Sequence, residues 1–219
     1  MKNTVVAVSL VIVLALLLMV TIIKQREQPG EPTLGNSENE RRLPPHKDEL
    51  DMSGPPWWMF HGGPQLMGTA ECALSETLDL QWKFRTGDAV LSSAAIGRNR
   101  VYIGSNDGNL YCLDLLTGEE IWRFTSEDSI ESAPCLLNGI VYVGSSDSFL
   151  YALDAETGAF QWKYKTENRI LGGVNAIRTQ DEENMRVLVG GYDGKLHCVN
   201  SETGEPIWVY RSDNYINGT

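Results

Sequence analysis

The chain has few of the residues that do chemistry. Among its 219 residues are only three histidines, the dispersed His46, His61 and His197, and four cysteines. Cys72, Cys112, Cys135 and Cys198 make no CxxC pair and no Cys/His spacing of the kind that holds a metal. A serine-nucleophile motif is absent, and so is a glycine loop opening a helix, as phosphate binding requires. Basic residues are also in short supply: 18 Lys and Arg against 29 Asp and Glu leave a formal net charge of -11. Such a surface repels nucleic acid and anionic lipid head groups, which argues against a nucleic-acid partner.

What the chain does have is repetition. Three near-copies stand in series, VYIGSNDGNLYCLDLLTGEEIW from Val101 to Trp122, VYVGSSDSFLYALDAETGAFQW from Val141 to Trp162, and VLVGGYDGKLHCVNSETGEPIW from Val187 to Trp208. Trp82, Trp122, Trp162 and Trp208 lie 40, 40 and 46 residues apart, and a period of about 40 residues with strand-like content marks propeller blades. The turn residues divide each copy into four short strands. In the second copy these are Ala133 to Leu137, Ile140 to Ser145, Leu150 to Asp154 and Phe160 to Lys165. Asn138-Gly139 supplies the positive φ of a two-residue hairpin, Ser146 to Phe149 turns the chain again, and Glu156-Thr157-Gly158 makes the last reversal. Four antiparallel strands per repeat form a meander, and a ring of meanders is an all-β propeller.

Alternation within the strands fits blades that are covered on both faces. In VYVGS the valines point one way and Tyr142 and Gly144 the other. Gly104, Gly144 and Gly190 recur where blades are expected to approach closely. Cys112 and Cys198 occupy one repeat position, filled by Ala152 in the middle copy. A small buried group is therefore expected there, as a free thiol in the two cysteine copies, because positions two blades apart are too distant for a disulfide, which needs Cα atoms within about 7 Å. His197 stands where Tyr111 and Tyr151 stand, as a packing variant. The longer third spacing comes from a polar loop, Arg178 to Arg186, a solvated insertion or a partner-binding loop.

The segments Asp114-x-x-Thr117-Gly118-x-x-x-Trp122 and Asp154-x-x-Thr157-Gly158-x-x-x-Trp162 resemble the tryptophan-docking motif of the pyrroloquinoline-quinone-type β-propeller repeat family. The third copy has Asn200 for the aspartate, before Thr203, Gly204 and Trp208, while Trp82 marks an earlier outer strand. Trp57 to Pro64, WWMFHGGP, is similar to the entry segment that precedes the family's first blade. Physically, the acidic or amide side chain caps the turn's N–H groups, glycine permits its φ, and the indole wedges between blades. The resemblance covers Trp57 to Thr219 and implies a seven- or eight-bladed ring. About three blades are present, and the chain reads as stopping inside another, so a fragment is expected, with further blades or an oligomer closing the ring.

Ahead of the repeats, residues 1–4 form a short tail and residues 5–23, VVAVSLVIVLALLLMVTII, carry no charge. That run is long enough to span a bilayer and too long for the core of a usual signal peptide, so an uncleaved anchor is expected. Residues 24–56 are polar and contain Pro29, Pro32, Pro44 and Pro45, and read as a disordered tether. Charges flank the run on both sides and do not orient it. The family resemblance implies an extracytoplasmic, periplasmic or cell-surface propeller.

The same resemblance spans two kinds of function. Family members include non-catalytic assembly proteins and quinoprotein dehydrogenases, in which the quinone stacks in the central channel beside Ca²⁺. The inner strands here read LSSAAI, ESAPCL and GGVNAI, so Glu131 and Asn175 are the only polar candidates of the right chemistry for such a channel, and satisfaction of backbone groups at strand starts is the simpler account of both. The expectation is therefore a membrane-tethered scaffold for protein or cell-envelope partners, with no catalytic residue, no metal and no cofactor. The alternative is the N-terminal part of a dehydrogenase that uses pyrroloquinoline quinone with Ca²⁺.

Overall fold

In each repeat a loop bearing aspartate and a glycine-containing reversal join the last three of four strands, and in the first two repeats a hairpin turn joins the first pair. The computed structural model describes residues 57–62, 68, 77–178 and 185–218. The first sheet is β1 (Ala95–Gly97), β2 (Arg100–Gly104), β3 (Asn109–Asp114) and β4 (Glu120–Thr125); the second is β5 (Cys135–Leu137), β6 (Ile140–Gly144), β7 (Phe149–Asp154) and β8 (Phe160–Lys165). The third is β9 (Asn175–Arg178), β10 (Met185–Gly190), β11 (Lys195–Asn200) and β12 (Pro206–Arg211). Each sheet is a four-stranded antiparallel meander in chain order, and no helix occurs among the described residues. The anchor expected over residues 5–23, the tether, Cys72 and most of the loop after Arg178 lie outside the described residues. Among those residues no helix is long and apolar enough to cross a membrane.

The hairpin expected at Asn138-Gly139 forms with φ of 49° and 80°, and Leu137 faces Ile140 across it. Arg98 and Asn99 make the matching turn at φ of 53° and 59°. The inner strand of the second blade starts two residues later than expected, at Cys135. Pro134 has no N–H for a ladder, and the carbonyl of Ala133 accepts from Val174 N–H of the next blade at 3.0 Å instead.

The sheets pack face to face as blades. One cluster joins Tyr102, Leu110 and Cys112 of the first blade to Ile130, Leu136, Val141, Val143 and Leu153 of the second. Another joins Cys135, Tyr142, Leu150 and Ala152 to Ile170, Val174, Ala176, Val187 and Val189 of the third. Fully burying an isoleucine such as Ile170 contributes about 2–3 kcal/mol. The free Cys112, Cys135 and Cys198 are buried, and burial pushes the Cys112 thiol up to about 11 and that of Cys135 up to about 12, so both stay protonated.

Serines and glycines set the blade spacing. The Ser92 hydroxyl donates to the Ser132 carbonyl at 2.9 Å, and the Ser132 hydroxyl donates to the Gly172 carbonyl at 2.7 Å, linking the inner segments of successive blades. A Cβ on Gly144 would lie 2.2 Å from Cγ2 and 2.8 Å from Cβ of Ile170, and Gly104 and Gly190 meet Ile130 and Ile216 in the same way. Gly144→Val is therefore expected to destabilise the fold by about 1–3 kcal/mol through overpacking. Thermal unfolding will show the lowered Tm, and Gly144→Val combined with Ile170→Ala will recover part of it.

Candidate functional site

The recurrent polar residues meet at two kinds of turn. In the reversal after β3, the Asp114 carboxylate accepts from Leu116 N–H at 2.9 Å and Thr117 N–H at 2.8 Å. Asp154 accepts from Glu156 N–H, Thr157 N–H and the Thr157 hydroxyl. In the third blade the Asn200 amide oxygen accepts from Glu202 N–H at 2.8 Å and Thr203 N–H at 3.0 Å. An amide thus does the carboxylate's work, because only acceptor lone pairs are needed. Backbone and hydroxyl donors of Thr117 and Thr157 hold the Asp114 and Asp154 carboxyls below the usual range. Thr117, Thr157 and Thr203 each accept one further backbone N–H through the hydroxyl.

Each reversal receives the tryptophan of the preceding outer strand. Gly118, Gly158 and Gly204 have φ of 71°, 72° and 73°, and a Cβ on them would lie 2.4, 2.7 and 2.6 Å from the rings of Trp82, Trp122 and Trp162. The indole N–H groups donate to Leu115 O at 2.9 Å, Ala155 O at 3.2 Å and Ser201 O at 3.1 Å. Further donors converge there: Arg100 at 3.1 Å and the Tyr102 hydroxyl at 3.0 Å also reach Ala155 O, and the Tyr142 hydroxyl reaches Ser201 O at 3.0 Å. Trp208 is 40% exposed, with no such acceptor among the described residues.

The second kind of turn lies between the second and third strands of each blade. Asp107 accepts from Gly87 N–H and the Tyr111 hydroxyl, both at 2.7 Å, and Asp147 from Glu127 N–H at 3.1 Å and the Tyr151 hydroxyl at 2.6 Å. These acceptors were missed in the sequence, although SNDG, SSDS and GYDG carry their aspartates in register. Burial together with Asp107 pushes the Tyr111 hydroxyl up to about 12. Asp193 instead faces His197 Nε2 at 3.0 Å, and the Tyr164 hydroxyl faces His197 Nδ1 at 3.0 Å. A carboxylate only accepts, so Nε2 carries a proton and donates to Asp193, while Nδ1 lies within hydrogen-bond distance of the Tyr164 hydroxyl. His197 thus replaces a Tyr of the sister repeats while Tyr164 replaces Phe124, and Lys195 pairs with Glu167 beside them.

The structure does not bring the two channel candidates together. Glu131 lies in the connection into β5, its carboxylate 3.4 Å from the Ser129 hydroxyl. Asn175 lies in β9 opposite Leu188, at the register position of Ala95 opposite Tyr102 and Cys135 opposite Tyr142. Ala95 and Cys135 at that position are buried. The entry segment crosses the inner strands: Trp57 O accepts from Ile96 N–H and Trp58 O from Leu136 N–H, both at 2.7 Å. Met59 is buried in the cluster between the second and third blades.

With this geometry in hand, comparison with known proteins finds the family model described as outer membrane protein assembly factor BamB, which matches residues 72–217. Among solved structures the chain is similar to BamB from Moraxella catarrhalis, at 27% identity and TM-score 0.51 over 60% of this chain and 39% of that one. A quinohemoprotein alcohol dehydrogenase, ADHIIG from Pseudomonas putida HK5, shares the fold at 19% identity and TM-score 0.56 over 71% of this chain and 26% of that one. A europium-containing methanol dehydrogenase shares it at 22% identity and TM-score 0.51, over 60% and 26%. The chain thus spans between about a quarter and two fifths of the length of these structures. No curated protein matches it.

A double-mutant cycle tests the coupling of indole to glycine. Trp122→Ala is expected to cost about 3 kcal/mol, and Gly158→Ala about 1–3 kcal/mol from positive φ and the ring clash together. In the Trp122→Ala background the Gly158→Ala change keeps only its φ strain, so the two costs, measured by denaturant unfolding, sum to less than independent effects.

Proposed function

The chain belongs to the family of the outer membrane protein assembly factor BamB, and on that premise we propose that it is a non-catalytic assembly scaffold presenting propeller faces to a protein or cell-envelope partner. The observation that carries this reading is the use made of its recurrent polar residues. Asp114, Asp154 and Asn200 cap turns and Asp147 joins one blade to the next, a use that serves the architecture. Exposed apolar side chains remain in the connections, among them Leu91 at 62% and Tyr215 at 55% exposure, as an interaction surface requires. In this reading residues 5–23 anchor the chain in a membrane, and residues 24–56 let the propeller work close to it on the extracytoplasmic side.

A Ca²⁺-bound quinone does not fit the donor set of the described residues. Glu131 lies on the connection before β5, beside the Ser129 hydroxyl, and Asn175 lies in β9 opposite Leu188, with no hydrogen bond between them. No cluster of three His, Cys, Asp or Glu among the described residues is placed to hold a metal.

Two measurements test the proposal. Titrating the full chain with pyrroloquinoline quinone and Ca²⁺ is expected to give no saturable binding. A photoreactive amino acid at Leu91 or Tyr215 is expected to cross-link in cells to one discrete envelope protein, which the same group at Lys163 on outer strand β8 does not reach. Stoichiometric quinone binding, or equal cross-linking from all three positions, contradicts the scaffold.

A further inference from the structure

The corner where β7 begins and β8 ends departs from its counterparts in the other two blades. In the first blade Asn109 stands opposite Thr125, and its amide donates to Asp107 while accepting from the Thr125 hydroxyl. Arg123 on that outer strand pairs with Glu120. In the third blade Lys195 pairs with Glu167. The second blade instead sets Phe149 opposite Lys165 and Tyr151 opposite Lys163. Both lysines are exposed, and their ammonium groups lie 4.0 Å (Lys163) and 5.7 Å (Lys165) from the centroid of the Phe149 ring. Neither has an ion-pair partner among the described residues. Asp147 is taken by the Tyr151 hydroxyl and Glu127 N–H, and Glu127 itself pairs with neither lysine.

The same strand offers a backbone edge. β8 ends its sheet and pairs only with β7 among the described residues. Thr166 N–H donates to Ser148 O at 2.9 Å, so by the alternation of an antiparallel ladder Tyr164 N–H also points toward β7, while the N–H groups of Lys163 and Lys165 point away. The outward donors therefore belong to the two residues that carry unpaired charge.

We propose that β8 takes an extended acidic segment of a partner protein as an added strand, with carboxylates at alternate residues meeting Lys163 and Lys165. Successive residues of a strand point to opposite faces, so residues two apart on the segment share the face of the two lysines. The Phe149 ring already positions both lysine stems, which lowers the ordering cost of pairing. A second copy of β8 is a poor occupant, because edge-to-edge pairing sets lysine against lysine. An anionic lipid surface would engage the ammonium groups and leave the backbone edge unpaired. The chemistry of this edge also differs from that of the apolar connections at Leu91 and Tyr215, so it serves a different partner and stands or falls apart from the scaffold reading.

The test titrates the full chain with a fluorescein-labelled peptide of alternating valine and glutamate, followed by anisotropy. Saturable binding is expected, and hydrogen exchange at the Lys163 and Lys165 amides is expected to slow in the complex. The same peptide with its backbone nitrogens methylated keeps its charge, loses its donors and is expected to bind at least about tenfold more weakly. Lys163→Gln combined with Lys165→Gln is expected to weaken binding of the parent peptide about tenfold, with Tm within about 2 °C of the unaltered chain. Arg123→Gln leaves binding unchanged. The proposal is overturned if the parent peptide does not saturate, if the methylated peptide binds equally well, or if the lysine substitutions leave the affinity as it was. It is also overturned if phosphatidylglycerol vesicles bind through the two lysines while the peptide does not, since the occupant is then a lipid surface.

Discussion

An indole laid on a glycine, with its N–H on the carbonyl three residues before that glycine, is the contact on which the rest of this structure depends. Each blade buries apolar residues on both faces and is stable only between neighbours. The indole closes the outer end of each interface, where apolar packing would otherwise give way to water. It seats only because the reversal lacks a Cβ at Gly118, Gly158 or Gly204. The capped aspartate or asparagine holds that reversal in shape and so fixes the carbonyl the indole needs. Ring, glycine and cap are therefore one device.

The inner ends are held by different means. Ser92 and Ser132 pass hydrogen bonds from blade to blade, and isoleucines of each connection fill the space left by Gly104, Gly144 and Gly190. The carbonyls of Trp57 and Trp58 then cap N–H groups on two inner strands. This use of the inner edge explains why polar groups there serve the architecture.

Much of the fold was legible because turns and repeats are local. Asn138-Gly139 announced its hairpin, and the third outer reversal could be aligned despite Asn200. Strand starts were less legible: Ala133 was read into β5, yet its carbonyl is committed to Val174 in the next blade. The surroundings of Asn175 were only partly legible for a related reason. Sequence puts it on an inner strand, but only the register with Leu188 shows which face it occupies. The role of His197 beyond packing was hidden because its partner Tyr164 lies a blade away. The aspartates Asp107, Asp147 and Asp193 were visible in alignment, but their acceptor role depends on backbone N–H groups 20, 20 and 26 residues distant.

The most direct test of the docking account is hydrogen exchange at the individual indole N–H groups, followed by NMR on the full chain. Trp82, Trp122 and Trp162 are predicted to exchange slowly, near the rate of the central strand amides, while Trp208 exchanges close to the rate of free indole. Equal exchange at all four would contradict the account, because the hydrogen bonds held here to join the blades would then not distinguish a docked tryptophan from an exposed one.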